Sequence, residues 1–278
     1  MDGTQRTRLV FLDVDGTLID SRQRVPESAR AACLAARKRG HRLFLCTGRS
    51  LPEIYPWLWD LGIEGLVGSG GGYGQIGDRP VFDDRAPHGD VAFAVSWLDG
   101  AGAQWIWQSA DGLWCSPGFL DAFLGRGGEH GASGEWSAYE RQVAPSLHPG
   151  TPGDASKCTF ILPPGSPAAL SDAAEAFRGR FHVIPGSVTM ERAQHAEMVP
   201  QGVSKGTGLI RIASLLGVPV ERTIAIGDSA NDLDMLRAAG VGVAMGNGRP
   251  AVKDVADLVT APIDQDGLAR AFEDLGLI

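Results

Sequence analysis

Runs of four or five consecutive apolar residues, each ending in polar groups, alternate with amphipathic stretches toward both ends of this chain. Leu9, Val10, Phe11 and Leu12 form the first run. Continuous apolarity of this kind marks a strand covered on both faces, as in the middle of a parallel sheet. The run stops at Asp13-Val14-Asp15-Gly16-Thr17, where period-2 geometry points Asp13 and Asp15 the same way and Gly16 permits a sharp turn. Pro26 and Glu27 begin a helical pattern with Ala31, Leu34 and Ala35 on one side, closed by Arg37-Lys38-Arg39-Gly40. Arg42 to Cys46 repeats the apolar run and ends in Thr47-Gly48-Arg49; a helix over Leu51 to Leu61 and a short strand at Leu66 and Val67 are predicted next. Alternation of strand and helix predicts a parallel sheet with right-handed crossovers, and ligands of such sheets collect at the carboxyl ends of the strands.

Ser69 to Gly74, S-G-G-G-Y-G, reads as a flexible hairpin-like link, and the pattern changes beyond Asp84. From Arg85 to Met190 the strand-like segments are Gln104 to Gln108, Gly112 to Cys115, Cys158 to Leu162 and Phe181 to Ile184; the helical ones are Val91 to Leu98 and Ala168 to Phe177. Gly125 to Gly134 and Pro145 to Gly153 read as long mobile loops. The first pattern resumes with a helix over Thr207 to Leu216, a strand over Thr223 to Gly227 ending in Asp228-Ser229-Ala230-Asn231-Asp232, a helix to Ala239, and strands over Val241 to Ala244 and Leu258 to Thr260. The expected architecture is therefore α/β: a doubly wound, mainly parallel sheet built from residues 1–84 and 191–278, with a second α/β domain inserted at 85–190.

Charge narrows the function. Thirty-three acidic against 25 basic residues leave a net charge of -8, which argues against nucleic acid or an anionic membrane as the main partner. Cys33, Cys46, Cys115 and Cys158 have neither zinc-site nor disulfide spacing and read as reduced thiols of a cytoplasmic protein. Met1 to Arg8 is polar, and the short run after it fits neither a signal peptide nor a membrane span.

The predicted strand ends bring together carboxylates Asp13 and Asp15, the hydroxyl and amide of Thr47 and Gly48, and carboxylates Asp228 and Asp232, with Lys205 adding a cation at a helix start. Carboxylates this crowded call for a cation, and an all-oxygen donor set suits Mg2+. Thr47, exposed amides and Lys205 are donors for a phosphoryl group. One aspartate would then attack phosphorus while the other passes a proton.

D-V-D-G-T at Asp13 to Thr17, T-G-R at Thr47 to Arg49, V-S-K-G at Val203 to Gly206 and G-D-S-A-N-D at Gly227 to Asp232 resemble, in order and spacing, the signature motifs of the haloacid dehalogenase superfamily, and specifically its Cof-type phosphatases. M-G-N at Met245 to Asn247 and D-Q-D-G at Asp264 to Gly267 extend the resemblance to the end of the core. The resemblance implies Asp13 as nucleophile and metal ligand, Asp15 as general acid and base whose carbonyl also touches Mg2+, Asp228 as third protein ligand and Ser229 beside the metal. It implies phosphate held by Lys205, Asn231, Thr47, Gly48 and the Val14 amide, and a cap domain in the insert that closes over the site and selects the substrate. Gly70-Gly71-Gly72 stands where relatives have Asn-Gly-Ala, which removes a side-chain contact and predicts a looser hinge.

Several residues carry plainer readings. Asp232 is placed behind the metal ligands, Arg49 is expected to pair with the acidic cluster, Thr17 to tie its loop, and Asp234 to face solvent. Trp105 and Trp107 share a strand face that is read as cap core rather than as a sugar platform. The expected activity is Mg2+-dependent hydrolysis of a small phosphorylated metabolite, a sugar phosphate among the candidates, by a monomer or weak homo-oligomer. The alternatives are a phosphomutase or phosphotransferase, a receiver-type module, and a non-catalytic phospho-metabolite-binding protein.

Overall fold

A computed structural model describes residues 7–124, 136–186 and 193–278. In chain order the elements are β1 (Leu9–Leu12), α1 (Glu27–Lys38), β2 (Arg42–Cys46), β3 (Ile63–Gly68), β4 (Tyr73–Ile76) and β5 (Arg79–Asp83). Next come α2 (His88–Gly100), β6 (Gln104–Ser109), β7 (Gly112–Cys115), α3 (Phe119–Phe123), α4 (Trp136–Val143), β8 (Leu147–His148), β9 (Lys157–Leu162), α5 (Leu170–Ala176), β10 (Phe181–Pro185) and β11 (Gln194–Pro200). The last stretch holds α6 (Lys205–Leu215), β12 (Thr223–Gly227), α7 (Leu233–Ala238), β13 (Val241–Ala244), α8 (Pro250–Lys253), β14 (Leu258–Val259) and α9 (Gly267–Asp274).

The chain folds into two units, each assembled from separate segments. The first comprises Met1–Gly48, Tyr55–Phe82 and Ser204–Ile278. Its sheet, among the described residues, runs β14-β13-β12-β1-β2-β3-β4-β5. β1 lies in the interior, parallel to β12 on one side (Leu12 opposite Ile226) and to β2 on the other (Leu12 opposite Leu45). All four residues of β1 are inaccessible to solvent, as its unbroken apolarity requires. Leu9, Phe11 and Phe44 pack on Leu209, Ile212 and Leu236 from α6 and α7 in one shared core.

Two sequence-based expectations change in this unit. Leu51 to Leu61 is not one helix: 3-10 turns at Leu51–Glu53 and Pro56–Leu61 flank Ile54 and Tyr55, whose backbone is extended. Pro56 disfavours helical φ/ψ at the residue before it and cannot donate into a helix, so the periodicity is interrupted. Ser69–Gly74 is no free link either. Gly68 to Tyr73 is buried, Gly70 donates its N–H to the Thr47 carbonyl, and Tyr73 continues into β4 antiparallel to β3. Gly71 has φ +111°, and a Cβ there would stand 1.9 Å from the Ser204 carbonyl oxygen. Only glycine permits this corner to rest against the start of α6.

The second unit comprises Arg49–Ile54 and Asp83–Val203. Its sheet runs β10-β11-β9-β6-β7-β8 among the described residues. Gln194–Pro200, in the stretch grouped by sequence with the first pattern, pairs antiparallel with both β9 and β10 and so belongs to this sheet. Trp105 and Trp107 point into a core formed with Val91, Ala94 and Leu98 of α2, Ala173 of α5, and Phe177. Within Pro145 to Gly153, read as loop, Leu147 and His148 pair parallel with β7. The predicted loop at Gly125 to Gly134 lies outside the described residues.

Candidate active site

Each acidic group stands where a strand of the first sheet stops. Asp13 follows β1 and donates its N–H to the Ile226 carbonyl, while Asp228 follows β12, so neighbouring strands deliver both. The loop after Asp13 folds back on itself, with Gly16 N–H on the Ile19 carbonyl and Leu18 and Ile19 N–H on the Val14 carbonyl. Gly16 has φ +89°, and a Cβ there would lie 2.5 Å from Asp228 Oδ2. Glycine is thus the residue that lets the two acidic loops meet. Thr17 ties them further, its hydroxyl 3.3 Å from Asp228 Oδ1, which makes the expected loop tie a bond across the site.

Lys205 is the first residue of α6, whose start is set by Ser204: its hydroxyl accepts the Thr207 N–H at 3.2 Å. The ammonium is 1% exposed and donates to Asp13 Oδ1 and to Asp232 Oδ1, each at 2.6 Å. Burial by itself would loosen its proton, but the two carboxylates outweigh that effect and hold the group more firmly charged than free lysine. Asp13, Asp228 and Asp232 offer oxygens within 4.8 Å of one another. Asp232, fully buried, is already committed: Oδ1 takes Lys205 and Oδ2 takes the Asp228 and Ser229 N–H groups at 2.9 and 2.8 Å. It orients the turn, and Asp13 and Asp228 are the better placed to face a cation.

Electrostatics point the same way. Burial raises the Asp13 pKa, and Asp232, Asp228 and Asp15 push it further; Lys205 only partly offsets them. Asp228 is pushed up to about 7 by burial first and then by Asp232. One lysine does not balance four carboxylates, and a divalent cation would offset most of the remaining charge. The donors are all oxygen, so the residues fit Mg2+.

Asp15 is half-buried and close enough to raise the pKa of both Asp13 and Asp228. Thr47 is buried at the end of β2; β1 and β2 leave the sheet side by side, and two residues beyond the Leu12–Leu45 pair come Val14 and Thr47. Cys46, just before Thr47, lies with its Sγ 3.7 Å from the Lys205 carbonyl oxygen, which brings this corner to the start of α6. Ser229 Oγ is 2.7 Å from Asn231 Oδ1, so both sit in the turn after β12. Asp234 is exposed. Gly48 closes the first unit's opening segment, and Arg49 begins the second unit's. Arg49 donates to the Glu53 carbonyl at 3.1 Å and lies 6.0 Å from the Tyr139 ring centroid.

Sequence reasoning missed Glu53. Its carboxylate, 3% exposed, accepts Ser50 N–H at 2.7 Å, Ser50 Oγ at 2.6 Å, Gln108 Nε2 at 2.8 Å and Tyr139 OH at 2.7 Å. R-S-L-P-E holds a capping-box spacing, Ser50 to Glu53, which was the available signal.

A mainly parallel α/β sheet with carboxylates at its strand ends, a buried lysine at the start of α6 and a second α/β unit interrupting the sequence are shared with known phosphoric monoester hydrolases. The chain belongs to the haloacid dehalogenase-like hydrolases, whose family pattern matches residues 10–272. It is 29% identical to Phosphatase YwpJ of Bacillus subtilis (strain 168) over 96% of this chain and 99% of that one, and 26% identical to Putative phosphatase YkrA of the same organism over 98% and 99%. Among solved structures it resembles the HAD subclass IIB sugar phosphatase BT4131, with TM-score 0.77 and 25% identity over 98% of this chain and 100% of that one. It also resembles a haloacid dehalogenase-like hydrolase from B. subtilis, with TM-score 0.80 and 26% identity over 96% and 99%. No helix among the described residues is long and apolar enough to cross a membrane.

Proposed function

We propose that the protein is a Mg2+-dependent phosphatase that hydrolyses a small phosphorylated metabolite, of the sugar-phosphate class, through a phosphoaspartate on Asp13. The observation that carries this reading is the bond from Lys205 to Asp13 Oδ1 at the end of β1, with Asp228 from the next strand in the same acidic cluster. The sugar-phosphate class rests on the likeness to a sugar phosphatase along nearly the whole chain.

Asp13, Asp228 and the Asp15 carbonyl would hold Mg2+, which when bound neutralises phosphoryl oxygens and the carboxylate cluster. Lys205 fixes one Asp13 oxygen, so the other is the one aimed at phosphorus. As the bond from Asp13 to phosphorus forms, the bond from phosphorus to the ester oxygen breaks, and Asp15 gives its proton to the departing alcohol. Water then attacks phosphorus, Asp15 takes back a proton, and inorganic phosphate leaves with Asp13 restored. Thr47, Gly48, the Val14 amide and Asn231 are the donors for the phosphoryl oxygens, and the second unit selects the alcohol.

The test is release of nitrophenolate from p-nitrophenyl phosphate. Wild type with Mg2+ turns over, and EDTA or Asp13→Asn abolishes the reaction. Undiminished turnover by Asp13→Asn contradicts the reading.

A further inference from the structure

Asn247, in the turn from Met245 to Arg249 that follows β13, reaches both acidic loops. Its Nδ2 donates to the Gly16 carbonyl at 2.8 Å and stands 3.5 Å from Asp228 Oδ2, while its Oδ1 accepts the Ile263 N–H at 2.9 Å. A backbone N–H only donates and a carbonyl only accepts, so these partners settle which end of the amide faces which way. The turn itself is well anchored. Gly246 N–H bonds the Ala261 carbonyl at 3.1 Å, Gly248 N–H the Met245 carbonyl at 2.8 Å, Arg249 N–H the Asp228 carbonyl at 3.3 Å, and Lys253 Nζ the Gly246 carbonyl at 2.6 Å.

We propose that Asn247 is a positioning residue for the metal ligands: it locks the loop bearing Asp13 and Asp15 to the Asp228 side chain, so that carboxylates from two strands face one ion. This role rests on the Mg2+ reading of the site. Its physical basis is that the ligands come from separate loops and repel one another. A neutral group that donates to both adds to the Thr17–Asp228 bond in holding them at ligand distance before the cation arrives. The Asn247 amide adds no charge, donates to one loop's carbonyl, and turns its second N–H toward the other loop's carboxylate. A residue that only staples surface loops would alter the melting temperature and leave metal affinity alone.

Calorimetric titration of Mg2+ alone into wild type, Asn247→Ala and the nearly isosteric Asn247→Leu, with thermal melts in EDTA, separates these roles. Loss of a group that orients ligands from behind typically weakens metal affinity about 10- to 100-fold. Both variants are expected to bind Mg2+ at least about tenfold more weakly, with metal-free melting temperatures close to wild type. Equal Mg2+ affinity in wild type and both variants overturns this inference and leaves the phosphatase reading standing. Wild type that binds no Mg2+ overturns the metal reading and this inference with it.

Discussion

Lys205 Nζ lies 2.6 Å from Asp13 Oδ1, joining two buried side chains 192 positions apart in sequence. The bond is what the folding of separate chain ends into one sheet achieves. Removing one member of a buried pair leaves the other charge uncompensated, at a cost of about 3–5 kcal/mol. Lys205→Met is expected to lose stability of that order in EDTA by urea denaturation, and Mg2+ should recover part of it. Phosphatase activity should fall at least about 100-fold, the scale of removing one preorganised donor.

The raised pKa of Asp228 fixes the sign of a pH effect. Its ordinary value is 3.8 and its folded value is about 7, so the metal-free folded protein keeps a proton that the unfolded chain has released. The group's contribution to stability is therefore full below about pH 4 and is lost as pH rises through about 7. Metal binding needs the carboxylate, so Mg2+ affinity should tighten as pH rises across the same interval. Melting temperature against pH, with EDTA and with Mg2+, checks both. The gain from Mg2+ should grow toward neutral pH, and Asp228→Asn should flatten the dependence.

Gly71 and Gly40 offer a matched pair. Both have positive φ, but a Cβ on Gly71 would strike the Ser204 carbonyl, whereas one on Gly40 meets nothing within 4 Å. Left-handed backbone alone costs an L-residue about 1–2 kcal/mol. Gly40→Ala should lose about that much in urea denaturation. Gly71→Ala should lose clearly more, and should cut activity as well, because Ser204 precedes Lys205.

Glu53 is expected to be critical to the second unit's packing. Glu53→Ala deprives the Gln108 amide and the Tyr139 hydroxyl of a shared buried acceptor. Unsatisfied buried donors cost about 1–3 kcal/mol each. Loss of about 2–5 kcal/mol is expected, with Tyr139→Phe losing less; hydrogen exchange at Gln108 and Tyr139 should report the loosening.

How much of the fold and site was legible in the sequence follows from range. β1, β2 and β12 declare themselves because a strand buried on both faces has no polar alternation to obscure it, and Asp13 and Asp228 mark where the apolar runs end. The spacing of the polar triplets likewise announces Thr47, Ser229 and Asn231. Long-range side-chain partners leave no such trace: nothing near Asn247 points to Gly16, and nothing near Glu53 points to Tyr139. The Leu51–Leu61 periodicity misled because Pro56 interrupts the helical pattern at Ile54 and Tyr55. The glycine run at Gly70 to Gly72 looked loose, and its reason for being glycine, the Ser204 carbonyl, lies more than a hundred residues away.

The most direct test of Asp13 as the nucleophile maps the phosphoryl group. Wild type and Asp15→Asn are mixed with substrate and Mg2+, quenched in acid within milliseconds to seconds, and digested for peptide mass spectrometry. One phosphoryl group is predicted on Asp13, and with p-nitrophenyl phosphate, whose leaving group departs without an acid, more of it in Asp15→Asn because the water that removes it has lost its base. Substrate turnover with no phosphoryl group on Asp13 at any time, or with the label on another residue, would contradict that role.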